Sequence, residues 1–215
     1  MTYPTAVGWK GLPGYVLAEA GVTRDPDGLV RIPYRLRDGS LYAERVVAES
    51  GRRWWRPGDG RPVIPFGLDR LEHPDFRGYR SLAIVEGESD ALALWASLGH
   101  EGLDVLGVPG ASTWRSSWTE HANGYVATYA FGDGDGAGRA LNAAARRDLP
   151  DAIAVELPDG EDVRSIVQRD GADALLDLIG EAERAAEIGS AILSATSLAD
   201  LYAKLGLEEA IDRAA

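Results

Sequence analysis

Two periods of apolar residues run along this chain, and the change from one to the other divides it. Near the start, apolar and polar positions alternate. Leu29-Val-Arg-Ile-Pro-Tyr-Arg35 and Leu41-Tyr-Ala-Glu-Arg-Val-Val47 read as two short strands around Asp38-Gly39, a dipeptide favoured in tight hairpin turns. Gly51 to Arg61 is rich in Arg, Gly and Trp and reads as a second hairpin or a loop. From residue 81 the pattern changes. Leu82-Ala-Ile-Val is a short buried strand, and Ala91, Leu92, Leu94, Trp95 and Leu98 then recur at helical spacing up to Gly99. Val105–Val108 is a second strand, followed by a Pro109-Gly110 turn, and Tyr125–Phe131 a third. Ala137–Asp148 is a helix, Ile153–Leu157 a fourth strand, and Val163–Gln168 the opening of another helix. Strands alternating with helices of this length predict βαβ units and a mostly parallel sheet, an α/β fold. The stretch from 181 is rich in Ala and acidic residues and predicts helices, with Gly189 expected to separate two of them. The expected organisation is therefore 1–80, a small α+β subdomain; 81–180, an α/β domain; and 181–215, a helical C-terminal segment.

In open α/β sheets, ligands sit beyond the carboxyl ends of the strands. Those ends are acidic here: Glu86-Gly-Glu-Ser-Asp90, Gly132-Asp-Gly-Asp135-Gly-Ala-Gly138 and Pro158-Asp-Gly-Glu-Asp162. Carboxylates gathered on one rim either hold a hard cation through oxygen or raise one another's pKa. Asp133 and Asp135, two apart in an extended turn, both reach one ion, and magnesium leaves positions for water and substrate phosphates. A calcium EF-hand is excluded, because positions 137 and 144, where it needs an Asp or Asn and a Glu, are both Ala. Gly132-x-Gly134-x-x-Ala137 also matches a dinucleotide fingerprint, but two carboxylates within that turn would repel a pyrophosphate. Glu88 has two readings, a group facing the site or an acid favouring the positive end of the following helix.

Charge sharpens the picture. The net charge is −12, yet residues 1–80 hold 13 Lys+Arg against 10 Asp+Glu, whereas residues 81–215 hold 9 against 24. A basic subdomain thus precedes an acidic one, and arginine suits planar phosphate recognition. There is no cysteine, so no disulfide, thiol chemistry or thiolate zinc site arises within this chain. His73, His100 and His121 share no ligand spacing. No apolar run of membrane-spanning length and no secretory signal is present, which leads to the expectation of a cytoplasmic protein without a membrane partner.

Val85-Glu-Gly-x-x-Asp90, followed by Phe131-x-Asp-Gly-Asp-x-Ala-Gly-Arg139, resembles the Toprim signature of bacterial replicative primases. Leu157-Pro-Asp-Gly-Glu-Asp162 with Ser165-Ile-Val resembles their third acidic motif. Arg31-Ile-Pro-Tyr, Asp38-Gly, Arg45 and Ile64-Pro-Phe-Gly-Leu68 resemble the basic subdomain that precedes Toprim. Val85 to Leu92 with Gly107-Val-Pro-Gly-Ala-Ser-Thr-Trp114 is most similar to primase-like proteins of phages and mobile elements, and the likeness covers roughly residues 25–170. It implies a Rossmann-like Toprim domain with an N-terminal basic α+β subdomain and a C-terminal helical tail. It implies a DNA-primase-like nucleotidyltransferase of the DNA-directed RNA polymerase type that makes primers in DNA replication. In that resemblance Glu86 is the general acid/base, and Asp133 and Asp135 hold Mg2+ (or Mn2+, with no zinc), with Asp90 and Asp162 lining the same pocket. Arg45 and the Arg52, Arg53, Trp54, Arg56 cluster bind template and nucleotide. Buried packing of Trp54 and Trp55 in a hairpin is the competing reading.

The implied partners are single-stranded DNA template and nucleoside triphosphates, with a replicative helicase and a separate zinc-bearing subunit as candidates. Two features depart from replicative primases: Arg164 stands where they carry a second Asp, and the cysteines of their zinc ribbon are missing. Two other functions stay open at this point, a non-catalytic nucleic-acid-binding or replisome-assembly Toprim module and a Toprim nuclease.

Overall fold

The computed structural model describes residues 8–56 and 60–207, of Leu198 and Ala199 the backbone alone. Two four-stranded sheets make up the framework. The first is antiparallel, in the order β1 (Thr23–Arg24), β2 (Val30–Arg35), β3 (Leu41–Val47), β4 (Arg53–Arg56). The expected hairpin is β2–β3, with Ile32 opposite Arg45 and Tyr34 opposite Ala43. Its turn closes at Asp38-Gly39: Gly39 takes a φ of 80°, and Asp38 Oδ1 accepts from the Ser40 N–H at 2.9 Å. The Arg- and Trp-rich stretch forms a second hairpin with β3, placing Trp55 opposite Arg45; its end at 57–59 lies outside the described residues. A short helix, α1 (Gly14–Glu19), precedes the sheet and buries Val16 and Leu17.

The second sheet is parallel, in the order β6 (Leu103–Val108), β5 (Ser81–Glu86), β7 (Thr128–Phe131), β8 (Ile153–Ala154). Helices α2 (Glu88–Leu98), α3 (Gly136–Asp148) and α4 (Val163–Asp170) follow β5, β7 and β8. The continuous apolar run of β5 is explained by cover on both faces. Ala83 and Val85 enter one core cluster, and Leu82 and Ile84 the other. The first cluster also takes Ile32, Tyr34 and Val47 from the antiparallel sheet and Leu92, Leu94 and Ile166 from helices, so residues on both sides of position 80 share one core. Phe66 is stitched to Gly107 by paired backbone hydrogen bonds of 2.8 and 3.0 Å. A Cβ on Gly107 would meet the Gly87 carbonyl at 2.9 Å, which is why that position is glycine.

Three expectations need correcting. The third strand starts at Thr128 rather than Tyr125, because Tyr125 turns its hydroxyl to Asp104 and the Val126 N–H bonds to Arg80 outside the ladder. The fourth strand is only Ile153–Ala154, since the chain leaves it to lace the Pro158–Glu161 turn to Gly134. Gly189 does not separate a pair of helices. A single helix, α5 (Ala172–Ser194), runs through both position 180 and Gly189 and packs Leu175, Ile179 and Ala191 inward. A mid-helix glycine costs about 1 kcal/mol, less than such burial returns. The break falls at 195–197, where Ser197 caps α6 (Leu198–Lys204) by accepting from the Asp200 N–H. Among the described residues no helix is long and apolar enough to cross a membrane.

One polar tie joins the two sheets inside the shared core. The Tyr34 hydroxyl donates to Glu88 Oε1 at 2.6 Å, and both residues are buried. Glu88 therefore neither faces the carboxylate rim as a free group nor serves only its helix. Tyr34→Phe leaves that carboxylate oxygen without its donor and is expected to lower the unfolding free energy by roughly 1–3 kcal/mol. Urea denaturation measures this, and a change within error would mean that the tie contributes nothing.

Candidate active site

Glu86 ends β5, and Gly87, at φ 84°, turns the chain into α2. That places the Glu86 carboxylate at the carboxyl rim of the parallel sheet. Its Oε1 accepts from the Ala111 N–H at 3.2 Å, while its Oε2 is buried without a partner. Burial pushes its pKa up, the Ala111 hydrogen bond opposes this, Asp135 pushes it further up and Arg53 draws it down.

The Asp133 loop owes its shape to three glycines. A Cβ on Gly132 would lie 1.9 Å from the Gly138 carbonyl oxygen, one on Gly138 would lie 2.0 Å from that of Asp133, and one on Gly134 would lie 1.9 Å from that of Pro158. Only bare backbone fits so tightly. The Gly132 N–H donates to the buried Asn142 Oδ1 at 2.7 Å, and Gly134 exchanges hydrogen bonds with Glu161 and Gly160. Asp133 Oδ1 is buried without a partner. Its pKa is pushed up to about 7, first by burial and then by Asp90, Glu86, Asp162 and Asp135. Asp135 caps α3: its Oδ1 accepts from the Ala137 and Gly138 N–H groups at 2.8 and 2.9 Å.

Asp90 and Asp162 are differently placed. Asp90, buried on α2, accepts from the Arg164 backbone N–H at 2.9 Å and from the Ser89 hydroxyl at 3.1 Å, and burial first of all raises its pKa to about 6. Asp162 caps α4 by accepting from the Ser165 N–H, and the Ser165 Oγ in turn accepts from the Asp162 backbone N–H. Its other oxygen meets the Arg164 guanidinium at 2.8 Å. Asp133 is thus in electrostatic reach of the other four acids. Two have oxygens without partners, while Asp90 and Asp162 are fully engaged by the protein.

The basic residues divide as well. Arg45 stacks its guanidinium over Trp55 at 4.8 Å, and Trp55 meets Tyr34 edge-on at 4.7 Å. Arg53, exposed and opposite Val47, acts electrostatically on both Glu86 and Tyr34. Arg52 lies over the half-buried Trp54 at 5.7 Å, and Arg56 is exposed at the end of β4. Trp55 joins the core margin, so the packed-hairpin reading describes it, and Trp54 keeps a partly open ring.

Sequence reasoning missed Tyr34, Asn142 and the Ala111 N–H. An isolated Asn among the alanines of a helix was the one available signal, since a buried amide on an apolar face requires a partner.

Among the described residues, no group of three or more His, Cys, Asp or Glu side chains is placed to hold a metal ion. What the rim offers is two carboxylate oxygens, Glu86 Oε2 and Asp133 Oδ1, buried without a partner, on groups whose pKa is raised first by burial.

The fold formed by these sheets is that of primase catalytic domains. The primase fragment of the bacteriophage T7 primase-helicase superposes with a TM-score of 0.65 at 19% identity, over 79% of this chain and 72% of that one. The RNA polymerase domain of Mycobacterium tuberculosis primase DnaG gives 0.57 at 18%, over 95% and 77%. A DnaG primase catalytic domain bound to single-stranded DNA gives 0.51 at 21%, over 77% and 59%. No family model matches the chain. In sequence, the Gene 57 protein of Mycobacterium phage D29 is 37% identical over 132 residues, 59% of this chain and 84% of that protein, and the chain belongs to its family.

The carboxylate crowding gives a pH dependence of definite sign. A pKa raised from 3.8 to about 7 in the folded protein means that folding takes up a proton which the unfolded chain releases. The stability it contributes is complete below about pH 4 and is lost as the pH rises through about 7. Without divalent ions, the melting temperature of Asp133→Asn is expected to fall less than that of the wild type between about pH 5 and pH 8. Parallel melting curves across that range would remove Asp133 as the titrating group.

Proposed function

We propose that this protein is a primase-type nucleotidyltransferase that joins nucleotides on a single-stranded DNA template during DNA replication. One observation carries the reading: Glu86 and Asp133, which come at the carboxyl ends of neighbouring strands of a parallel sheet and interact electrostatically, each bury a carboxylate oxygen without a partner, and Arg53 of the basic sheet acts on Glu86. The likeness of the fold to primase catalytic domains, one of them bound to single-stranded DNA, supports it.

In this mechanism a 3′-hydroxyl attacks the α-phosphorus of an incoming nucleoside triphosphate and pyrophosphate leaves. Glu86 accepts the hydroxyl proton at Oε2. Its carboxylate is held by the Ala111 N–H, and burial raises its basicity above that of an ordinary glutamate. Asp133 and Asp135 would hold Mg2+ or Mn2+, which when bound neutralises phosphate charge and acidifies the hydroxyl. Asp90 and Asp162 line the same pocket. Arg45, Arg52, Arg53 and Arg56 pair with backbone phosphates, and the open ring of Trp54 stacks a base. A replicative helicase and a separate zinc-bearing subunit are the partners proposed for template selection, because this chain has no cysteine with which to build a zinc ribbon. A second reading, a nucleic-acid-binding assembly module without catalysis, is favoured by one fact: Asp90 and Asp162 have both oxygens taken up by the protein itself.

Ribonucleotide incorporation on single-stranded templates with Mg2+ or Mn2+ decides between them. Glu86→Gln is expected to lower synthesis by roughly 10²–10⁴-fold. Single-strand affinity should hold or rise, since a negative charge has been removed beside phosphates. Wild-type protein that makes no product, even with helicase and a zinc-bearing partner supplied, points to the assembly module instead. Equal synthesis by the two proteins removes Glu86 from the chemistry.

A further inference from the structure

The Glu86 carboxylate rests through its Oε1 on the Ala111 N–H, and its Oε2 is buried without a partner. Whatever fixes Ala111 therefore fixes which oxygen of Glu86 is free. Ala111 opens a single turn, Ala111–Thr113, reached from β6 through Pro109-Gly110. The near end of the turn is tied to the sheet. The Val108 carbonyl accepts from the Gly110 N–H at 2.6 Å and, at 2.7 Å, from the N–H of Gly87, the residue after Glu86. The Gly110 carbonyl accepts from both the N–H and the hydroxyl of Thr113 at 2.9 Å.

The far end is tied to a helix. The indole N–H of half-buried Trp114 donates at 2.9 Å to Oδ2 of Asp148, the last residue of α3. Arg147 holds the same carboxylate through its Nε at 2.9 Å and its Nη2 at 3.0 Å. The Trp114 ring meets buried Trp118 edge-on at 6.0 Å, and Ala111 and Trp114 both pack at the margin of the core cluster that contains Leu141 of α3. Packing alone would hold the ring by its area, whereas the indole hydrogen bond fixes its direction. Helix α3 starts at the Asp135 cap, beside the Asp133 loop, and ends at Asp148. One helix thus carries the Asp133 loop at one end and the anchor of the Glu86 turn at the other.

We infer that Trp114 is a positioning residue for Glu86: its indole N–H, held by Asp148, fixes the Ala111–Thr113 turn so that the Ala111 N–H takes one carboxylate oxygen and leaves Oε2 free to accept a proton. The inference rests on the reading of Glu86 as the proton acceptor in nucleotidyl transfer, and adds to it a residue that acts through another.

The test pairs amide hydrogen exchange, followed by NMR on the full chain, with steady-state primer synthesis. Trp114→Phe keeps an aromatic ring and removes the donor, Asp148→Ala removes the acceptor, and Asp148→Asn keeps an acceptor oxygen. In Trp114→Phe and Asp148→Ala the Ala111 amide should exchange roughly 3–10-fold faster, the loss of about one ordinary hydrogen bond. The Gly107 amide, bonded to the Phe66 carbonyl at 3.0 Å, should keep its wild-type rate. Synthesis should lose roughly 10-fold in kcat with the nucleotide KM within about twofold, less than the ~10²-fold that a 1 Å misplacement can cost. Asp148→Asn should match the wild type on each count. Unchanged Ala111 exchange in a folded Trp114→Phe protein, equal acceleration at Ala111 and Gly107, or faster Ala111 exchange with unaltered kcat overturns the role of Trp114 and leaves the nucleotidyl-transfer reading in place. If Trp114→Phe does not fold, the two Asp148 variants decide. Wild-type protein that makes no product overturns that reading instead, and the exchange rates then decide alone whether Trp114 holds the Ala111 turn.

Discussion

The closeness of two backbones around Asp133 governs the rest of the rim. The Asp133 loop lies against the first turn of α3 on one side and the Pro158 turn on the other, at separations that leave no room for a Cβ at Gly132, Gly134 or Gly138. That contact pins two acidic loops from different strands together. It forces Asp133 into partial burial beside four other carboxylates, and the raised pKa of Asp133 follows from it. Buried Asn142 supports the loop from below through the Gly132 N–H. The glycines thus act here through the space they leave more than through unusual backbone angles, since none of these three has a positive φ.

Helix capping and site chemistry compete for the same side chains. Asp135 and Asp162 are both N-caps, and each gives one oxygen to the start of a helix. Asp162 gives its second oxygen to Arg164, which leaves Asp135 as the cap whose position also suits the open half of the rim. Five acids in sequence are therefore not five equal ligands in space. The protein consumes some of that negative charge in its own construction and exposes the remainder to whatever binds.

Much of this was legible in the chain itself. Alternation in β2 and β3 predicted their pairing, and the Asp38-Gly39 turn fixed where they meet. The acids predicted at strand ends do lie together, because in a parallel sheet every strand delivers its last residue to the same edge. What escaped depended on contacts distant in sequence. Tyr34 and Glu88 are 54 residues apart, and nothing local in either segment announces their bond. The bridge between Phe66 and Gly107 is equally non-local. Gly189 misled because glycine weakens a helix without ending it, and the packing of Leu175, Ile179 and Ala191 decides the outcome. Arg164 was visible as a departure from a motif, but its pairing with Asp162 emerged only from the three-dimensional arrangement.

The shared core also bears on how the two sheets are spaced. Ile32, Tyr34 and Val47 of the antiparallel sheet are packed in one cluster with Val85 of β5 and Leu92 of α2, and the Tyr34–Glu88 bond locks that packing two residues from Glu86. The two sheets cannot hinge apart without opening an apolar interior to water. The Trp55 ring, packed on that core beneath Arg45, and the carboxylate of Glu86 consequently belong to one body. The distance between the two sheets is thus set by the hydrophobic core and not by a hinge.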